Sequence, residues 1–253
     1  QENISRETAG INVETHLSLK NKKQGLKLKT TIADASNKIV ASNETGISGD
    51  IVRQPIQVER PVLWEGKKNP YLYTVTVELY DGNQLVDRMV QRTGFRYFSV
   101  DHEKGFFLNG NYLNLYGFCR HEDAVGRASA LLPEDYKMDM ELIKESGATA
   151  MRLAHYPHAE PMYDLSDENG IILWTEIPMC GPGGQAFTGL VDTEGFKVNA
   201  RLAVKELVYQ KFNHPSICFW GICNEILVSD GKRFVKYDNP IPFIKELNGL
   251  YKS

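Results

Sequence analysis

The chain has 253 residues, of which 42% are hydrophobic and 24% charged, a composition typical of a globular protein of one large or two ordinary domains. A formal net charge of −3, from 29 basic and 32 acidic side chains, gives no electrostatic reason to expect a nucleic acid partner. Since no apolar run approaches the ~18 residues of a membrane-spanning helix, we predict no membrane partner either. The start, Gln1-Glu2-Asn3, has neither a first Met nor a signal-peptide pattern, so the sequence predicts no compartment.

The first hundred residues show short alternating apolar runs between turn signals and no helical pattern. Tyr71–Tyr80 alternates throughout, and the Asp81-Gly82 that follows is a strong hairpin signal. The other predicted strands are Asn12–Leu19, Leu26–Asp34, Ile51–Val58 and Gln84–Thr93, with turns at Asn21–Gly25, Ser42–Gly49 and Asp81–Asn83. Strands of this length and spacing predict an immunoglobulin-like antiparallel β-sandwich over residues 1–100.

After residue 100 the pattern changes to strand followed by helix. A hairpin is predicted at 105–115, with its turn at Asn109-Gly110. The later strands are predicted at Leu115–Phe118, Ala148–Arg152, Ile171–Glu176 and Ile217–Cys223, and the helices at Pro133–Ser146, Pro161–Asn169, Glu194–Phe212 and Pro240–Tyr251. These are about four β/α units with strands suited to a parallel sheet. Because a closed (β/α)8 barrel needs ~250 residues by itself, residues 101–253 predict the N-terminal half of a TIM barrel, an α/β fold.

Polar residues cluster just after the predicted strands, at the face where barrel enzymes place their active sites. They are Arg120, His121, Glu122, Arg152, His155, Glu176, Asn224 and Glu225. Glu225 is the strongest catalytic candidate because it follows an apolar strand, and lining by Trp174 or Trp220 would raise its pKa as a general acid requires. The alternative is that Glu225 caps or pairs at an ordinary strand end.

Several motifs in this order resemble glycoside hydrolase family 2. They are Pro61-Val-Leu-Trp64, Asn69-Pro-Tyr-Leu-Tyr73, Gly94-Phe-Arg96, Phe107-Leu-Asn-Gly110, Gly117-Phe-Cys-Arg-His-Glu-Asp123, Arg152-Leu-Ala-His-Tyr-Pro157, Gly170-Ile-Ile-Leu-Trp-Thr-Glu176 and Asn213-His-Pro-Ser-Ile217 with Trp220 and Asn224-Glu225. The resemblance covers roughly residues 12 to 252. It implies a retaining β-glycosidase in which Glu225 is the acid/base and Asn224 holds the sugar 2-hydroxyl.

The resemblance also places His121, Arg152, His155 and Glu176 at positions around the sugar subsite. Each of the first three has an alternative that stays open. For Arg152 the alternative is an ion pair with Glu176 or Glu225 without contact to the substrate. For His155 it is a role in ordering its loop, and for His121 it is a structural polar network with its neighbours. The remaining histidines, interpreted as surface or loop-ordering residues, are His16, His102, His158 and His214.

A retaining mechanism needs a second carboxylate about 5–5.5 Å from the acid/base. After Glu225 the acids are Asp230, Asp238 and Glu246, and none ends an apolar strand. In the family this nucleophile comes from the second half of the barrel, so we expect it beyond Ser253 and expect the chain alone to be inactive. The jelly-roll domain that precedes the sandwich in the family is also absent from this sequence.

No cofactor and no metal are predicted. Some family members bind magnesium through a Glu-x-His shortly after the position of Glu176, but here Ile177–Gly184 has no carboxylate or imidazole. The four cysteines, Cys119, Cys180, Cys218 and Cys223, have no CxxC spacing and are predicted to be free thiols, mostly buried.

The predicted substrate is a carbohydrate with a terminal β-linked sugar, and the leading hypothesis is a β-galactosidase. A β-glucuronidase shares the His-Glu-Asp and His-Tyr-Pro motifs and is the alternative, followed by a β-mannosidase. A hypothesis of another class is a non-catalytic sugar-binding or assembly module. Because a half barrel leaves strand edges exposed, we expect the chain to self-associate, with a homo-oligomeric parent protein as a further option.

Overall fold

The computed structural model describes residues 1–19, 25–180, 193–225 and 241–252. The chain divides into two compact units. The first contains Gln1–Asn114 with Asp167–Gly170 and Asn213–Pro215, and the second contains Leu115–Ser166, Ile171–Phe212 and Ser216–Ser253. The domain boundary expected between residues 100 and 101 stays a prediction, and most of the predicted turn Asn21–Gly25 lies outside the described residues.

The first unit is built from antiparallel strands. They are β1 (Thr8–His16), β2 (Leu26–Ala33), β3 (Ile39–Gly46), β4 (Ile51–Glu59), β5 (Tyr73–Asp81), β6 (Gln84–Thr93), β7 (Phe98–Asp101), β8 (Gly105–Leu108) and β9 (Asn111–Tyr112). They form a β1-β4 pair, a sheet in the order β3-β2-β5-β6, and a small sheet β7-β8-β9. The predicted antiparallel β-structure of this region is confirmed.

The core of the first unit follows from strand alternation. In β4 every second side chain is buried, namely Val52, Gln54, Ile56 and Val58. The amide of Gln54 is the polar exception, and its Oε1 accepts a hydrogen bond from Thr30 Oγ1 at 2.6 Å. Its Nε2 donates to the Leu28 carbonyl at 3.2 Å. A buried amide with both ends bonded avoids the penalty of an unsatisfied polar group.

The turn predicted at Ser42–Gly49 was placed wrongly. Strand β3 runs through this region to Gly46 and pairs antiparallel with β2. Its residues alternate between exposed and half-buried, and it is an edge strand of its sheet. Its half-buried face carries the polar side chains of Asn43 and Thr45, and Asn43 bonds to the Pro55 carbonyl of β4, so Ser42-Asn43-Glu44-Thr45 has the composition of a loop.

The second unit contains four parallel strands, each followed by a helix. They are β10 (Gly117–Arg120), α1 (Pro133–Glu145), β11 (Ala150–Leu153), α2 (Glu160–Asn169), β12 (Ile172–Glu176), α3 (Glu194–Lys211), β13 (Ile217–Gly221) and α4 (Ile241–Leu250). The sheet order is β10-β11-β12-β13 and every pair is parallel. The predicted partial TIM barrel of four β/α units is confirmed, with the first strand two residues later than expected.

The helices cover the sheet with apolar side chains. Met151 and Leu153 of β11 and Leu173 of β12 belong to one buried cluster with Met140 of α1 and Met162 of α2. Helix α1 starts with a proline, has acids in its first turn, and is followed by Gly147 at φ +83°. That φ lies in the left-handed region that favours glycine just past a helix end. Within the described ranges, no helix is both long and apolar enough to cross a membrane.

Candidate active site

The polar residues singled out in the sequence lie at the carboxyl ends of neighbouring parallel strands. Arg152 is in β11, Glu176 ends β12, and Asn224 follows β13. The register pairs Cys119 with Arg152 and Arg152 with Trp174, so these three side chains share one face of the sheet. Parallel strands bring the residues at their ends to one edge, which is where barrel and open α/β enzymes form their sites.

Arg152 and Glu176 form the central ion pair of this site. Arg152 Nη2 donates to Glu176 Oε1 and Oε2 at 3.0 Å each, and Nε donates to Oε2 at 3.2 Å. The side chain of Glu176 is 1% exposed and that of Arg152 is 27% exposed. Burial works against the charge of Arg152, but the hydrogen bonds and negative charge of Glu176 outweigh it, so the pKa of the guanidinium is raised. The predicted alternative of an Arg152–Glu176 pair is therefore observed.

His155 is attached to the same carboxylate. Its Nδ1 lies 2.8 Å from Glu176 Oε1 and 3.3 Å from Arg152 Nη2. A carboxylate only accepts and a guanidinium only donates, so the two contacts compete for Nδ1. The Glu176 contact is shorter by 0.5 Å and assigns the proton to Nδ1. The ring nitrogen Nε2 is then the one available to a sugar hydroxyl or carboxylate. The peptide bond between Ala154 and His155 is cis.

Asn224 is held at both ends of its side-chain amide. Oδ1 accepts from Arg152 Nη2 at 2.9 Å, and Nδ2 donates to Cys180 Sγ at 3.3 Å. The backbone N–H of Asn224 also donates to the Met179 carbonyl at 3.0 Å, next to a parallel bridge between Asn224 and Cys180. Arg152 thus links Glu176 directly to the residue that precedes Glu225.

Glu225 is exposed and has a backbone φ of +48°. A non-glycine residue in this left-handed region is uncommon and marks a position worth functional attention. The expected lining of Glu225 by Trp174 or Trp220 stays a prediction. Trp174 stacks on Phe219 at 6.0 Å, and Trp220 stacks on Tyr251 at 5.8 Å.

His121 lies beside His155, with ring centroids 5.1 Å apart at an interplanar angle of 79°. The predicted network around His121 exists, but it is formed by its neighbours Arg120 and Glu122, which are both buried. His158 and His214, interpreted as surface or loop-ordering residues, are both buried, while His16 and His102 are exposed. His158 bonds to a loop carbonyl, so loop ordering is the correct half of that interpretation.

Gly221, at the end of β13, makes room for the central ion pair. A Cβ at this position would lie 2.3 Å from Trp174 Nε1, 2.6 Å from Glu176 Cβ and 2.8 Å from Glu176 Oε2. The sequence offered no signal for this role, because close approach depends on the strand register.

The cysteines are free thiols, but their burial was predicted wrongly. Cys218 is buried and Cys223 half-buried, whereas Cys119 and Cys180 are exposed. Burial, reinforced by the negative charge of Glu176, raises the pKa of the Cys223 thiol. The sequence did not predict that Cys119 would lie beside Arg152 or Cys180 beside Asn224. The pairing of β10 with β11 is the signal that would have placed Cys119 next to Arg152.

The site fits the family that the comparisons with known proteins identify. Residues 1–96 match the model described as glycosyl hydrolases family 2, and residues 99–247 match the model of its TIM barrel domain. The chain belongs to glycosyl hydrolase family 2.

Curated and solved relatives are similar over nearly the whole chain. A β-glucuronidase of Bacteroides fragilis is 39% identical over 258 residues, covering 100% of this chain and 36% of the relative. A β-galactosidase of Thermoanaerobacter pseudethanolicus is 31% identical, covering 92% of this chain and 30% of the relative. The apo structure of Bacteroides uniformis β-glucuronidase 3 is 32% identical with a TM-score of 0.83, covering 98% of this chain and 30% of that one. The chain thus spans about a third of the length of these proteins.

Proposed function

We propose that this chain supplies the acid/base half of the active site of a retaining exo-β-glycosidase, with Glu225 as the acid/base. The proposal is carried by one observation, the chain of contacts from Glu176 through Arg152 to Asn224, directly before Glu225. Membership of glycosyl hydrolase family 2 supports the reaction class. Glu225 would protonate the leaving glycosidic oxygen and then deprotonate the water that releases the sugar.

The other residues have roles that their contacts support. Asn224 Nδ2 carries two hydrogens, so one remains for the sugar 2-hydroxyl while the other meets Cys180. His155 presents Nε2 because Glu176 engages Nδ1, and His121 lies next to it. Glu176 is fully buried and acts by holding Arg152 and His155, so we assign it no direct contact with the sugar.

The second carboxylate of the pair is not assigned to a described residue. Glu246 lies in α4 and is bonded to Arg201, and Glu176 is committed to Arg152 and His155. Asp230 and Asp238 fall outside the described residues, as do residues 181–184 of the stretch predicted to lack magnesium ligands. Placement of the nucleophile beyond Ser253 stays a prediction, and so does the absence of a metal or cofactor.

For the substrate we propose a β-glucuronide, which reverses the preference for a β-galactoside drawn from the sequence. The support is the higher identity to the Bacteroides fragilis β-glucuronidase, 39% against 31% for the Thermoanaerobacter β-galactosidase. The motifs around His121 and His155 could not separate the two sugars because both enzyme types share them.

The test is hydrolysis of aryl β-glucuronide, β-galactoside and β-mannoside by the full-length gene product that contains this sequence. We expect the β-glucuronide to be hydrolysed fastest, and Glu225→Gln to slow it by roughly 100-fold or more, in line with removal of a general acid. Glu141→Gln is the matched control because Glu141 is 72% exposed and bonded only to Lys144 nearby.

Each outcome decides between the hypotheses. Activity unaffected by Glu225→Gln would contradict the assignment of the acid/base. Faster hydrolysis of the β-galactoside would restore the β-galactosidase, and silence on all three sugars would favour a non-catalytic module.

A further inference from the structure

A second polar cluster lies beneath the two histidines and is almost fully buried. Its members are Arg120, Glu122, Tyr136 and His158. Arg120 Nη1 donates to Glu122 Oε2 at 2.9 Å, and Tyr136 donates its hydroxyl to Glu122 Oε1. Arg120 Nε donates to Asp139 Oδ2 at 2.9 Å. The reaction proposed above uses none of these side chains.

His158 makes contacts through both of its ring nitrogens. Its Nε2 lies 3.1 Å from the Ala154 carbonyl, which can only accept, so Nε2 carries a hydrogen. Its Nδ1 lies between a donor and an acceptor, 3.0 Å from Arg120 Nη1 and 3.1 Å from Glu122 Oε2. Burial, with the nearby charges of Arg120 and His121, lowers the pKa of His158 against the opposing effects of Ala154 and Glu122. Both ring nitrogens are thus in contact with polar groups of the cluster or the loop, and burial disfavours the protonated ring.

Hydrogen bonds around this cluster tie two loops together. His158 holds the Ala154 carbonyl, and the Ala154 N–H donates to the Arg120 carbonyl at 2.9 Å. The N–H of Glu122 donates to the Tyr156 hydroxyl at 3.2 Å. In one loop His155 lies between Ala154 and Tyr156, which make these hydrogen bonds. In the other loop His121 lies between Arg120 and Glu122, which also make them.

We infer that Arg120, Glu122 and His158 are positioning residues that fix the orientation of His121 and His155 towards the sugar. This inference rests on the proposed function of that site. His158 acts directly on the carbonyl of Ala154, the residue before His155. The side chains of Arg120 and Glu122 bond to each other, and Arg120 also bonds to the His158 ring, so they act on the two residues that flank His121 and on His158. The edge-to-face arrangement of the His121 and His155 rings, with their centroids 5.1 Å apart, is the geometry that they maintain.

The composition of the cluster favours positioning over stability. Burying ionised groups costs desolvation energy, and apolar residues of similar volume are often as stable or more so. Arg120 bears part of this cost, because its Nη2 is buried and has no hydrogen-bond partner among the described residues. A directional network, by contrast, fixes the two loops in a way that apolar packing does not.

The first experiment uses the full-length gene product and an aryl β-glucuronide. We expect His158→Ala to lower kcat/KM by roughly 10- to 100-fold, the size expected when substrate-contacting groups are displaced by about 1 Å. His158→Gln should restore most of this loss, because its amide offers a donor for Ala154 and an acceptor for Arg120. His214→Ala is the matched control, since His214 is equally buried, at 3% exposure, and bonds to Asp167 at 2.6 Å.

The control separates positioning from folding. If His158→Ala and His214→Ala lower thermal stability alike, and kcat/KM of the folded enzyme is unchanged in both, the inference is overturned. Loss of kcat/KM in His158→Ala that Gln does not restore would also count against it.

A second readout does not depend on activity. Long-range ¹H–¹⁵N spectra report the tautomer and environment of each histidine ring in the 253-residue chain. We expect the signals of His121 and His155 to move in His158→Ala and to stay in place in His214→Ala. If the enzyme hydrolyses none of the sugars but these signals move, the proposed function fails while the positioning role stands. Unmoved signals overturn the positioning role whatever the activity.

Discussion

The guanidinium of Arg152 is held by both carboxylate oxygens of Glu176 at 3.0 Å, and the same Nη2 reaches Asn224 Oδ1 at 2.9 Å. One nitrogen of β11 thus bonds to the end of β12 and to a residue that follows β13. A charge pair in this position stabilises the fold only while both partners are present, because either ion alone would be left partly buried without compensation.

Glu176→Gln tests the energetic weight of this pair. We expect the free energy of unfolding of the chain to fall by about 1–3 kcal/mol, less than for a fully buried pair because Arg152 is partly exposed. Urea unfolding followed by tryptophan fluorescence measures the change. The control is Glu44→Gln, whose partner Lys27 lies 3.0 Å away on the surface, and its effect should stay within about 0.5 kcal/mol. Equal changes in the free energy of unfolding for the two substitutions would show that the Arg152–Glu176 pair stabilises the chain no more than a surface ion pair does.

Cys180 is expected to contribute to activity through Asn224. Cys180→Ala removes the acceptor of Asn224 Nδ2, and the loss of one neutral hydrogen bond should lower kcat/KM of the full-length gene product by roughly 3- to 10-fold. Cys180→Ser keeps an acceptor and should retain most of the activity. Identical kinetics for the two variants would exclude this role for the thiol. Cys218→Ala provides a cysteine control, since that side chain is buried in the described structure.

Gly221→Ala should disturb the ion pair directly. The added Cβ would meet Trp174 and Glu176 at 2.3–2.8 Å, so we expect a loss of about 1–3 kcal/mol in the free energy of unfolding. Gly249→Ala is a control in the same unit, because its Cβ would contact nothing within 4 Å and the position is helical. That substitution should instead stabilise the chain by about 0.5–1 kcal/mol. If Gly221→Ala left the free energy of unfolding unchanged, β12 and β13 would pack less closely at this position than described.

His158 predicts a pH dependence of stability with a definite sign. Burial lowers its pKa in the folded chain below the ordinary value of 6.5, so the unfolded chain binds the proton more readily. The contribution of His158 is therefore fully present above pH 6.5 and is lost as the pH falls from there towards the lowered folded-state pKa.

The comparison with His158→Gln isolates this contribution. We expect the free energy of unfolding of the wild-type chain to fall more steeply between pH 7 and pH 5 than that of the variant, measured by urea unfolding at each pH. Parallel curves for the two proteins would show that His158 does not bind a proton on unfolding in this range.

Self-association of the 253-residue chain stays a prediction, and one residue offers a test of it. Phe118 is 57% exposed in β10, which pairs on one side only within the described sheet. Light scattering at tens of micromolar should give a mass above that of the monomer, and Phe118→Lys should lower it because a charge blocks edge pairing. Val125→Lys is the control, since Val125 is also exposed but lies outside the strands. A monomeric mass for the unsubstituted chain would refute the prediction.

Sequence patterns predicted the elements that have a clear periodicity or a clear stop signal. The ten-residue alternation Tyr71–Tyr80 became strand β5, and Pro133 and Gly147 bracket α1 as expected. The ends of parallel strands also predicted that Arg152, Glu176 and Asn224 would meet. Strand β3 was missed because its half-buried face carries polar residues, among them Asn43, which bonds to the Pro55 carbonyl.

The spacing of residues in the sequence could not predict the direction in which loop side chains point. His155 and His158 lie in the same loop, but one ring is bonded to the site carboxylate and the other is buried beside Arg120. Which side each faces depends on the backbone path between them. The exposure of Cys119 and Cys180 was misjudged for a similar reason, since apolar neighbours in sequence are not neighbours on the same face of a strand.

The contacts among Arg152, His155, Glu176, Cys180 and Asn224 all fall within one stretch of sequence, from β11 to the residue before Glu225. This continuity has a consequence for recombination between homologues. A crossover placed before Ala150 and another after Glu225 would transfer the entire hydrogen-bonded set as one block. A crossover inside α2 would separate Arg152 from both of its acceptors, Glu176 and Asn224, and one inside α3 would separate it from Asn224. Chimaeras of glucuronide- and galactoside-specific relatives are therefore best joined outside residues 150–225.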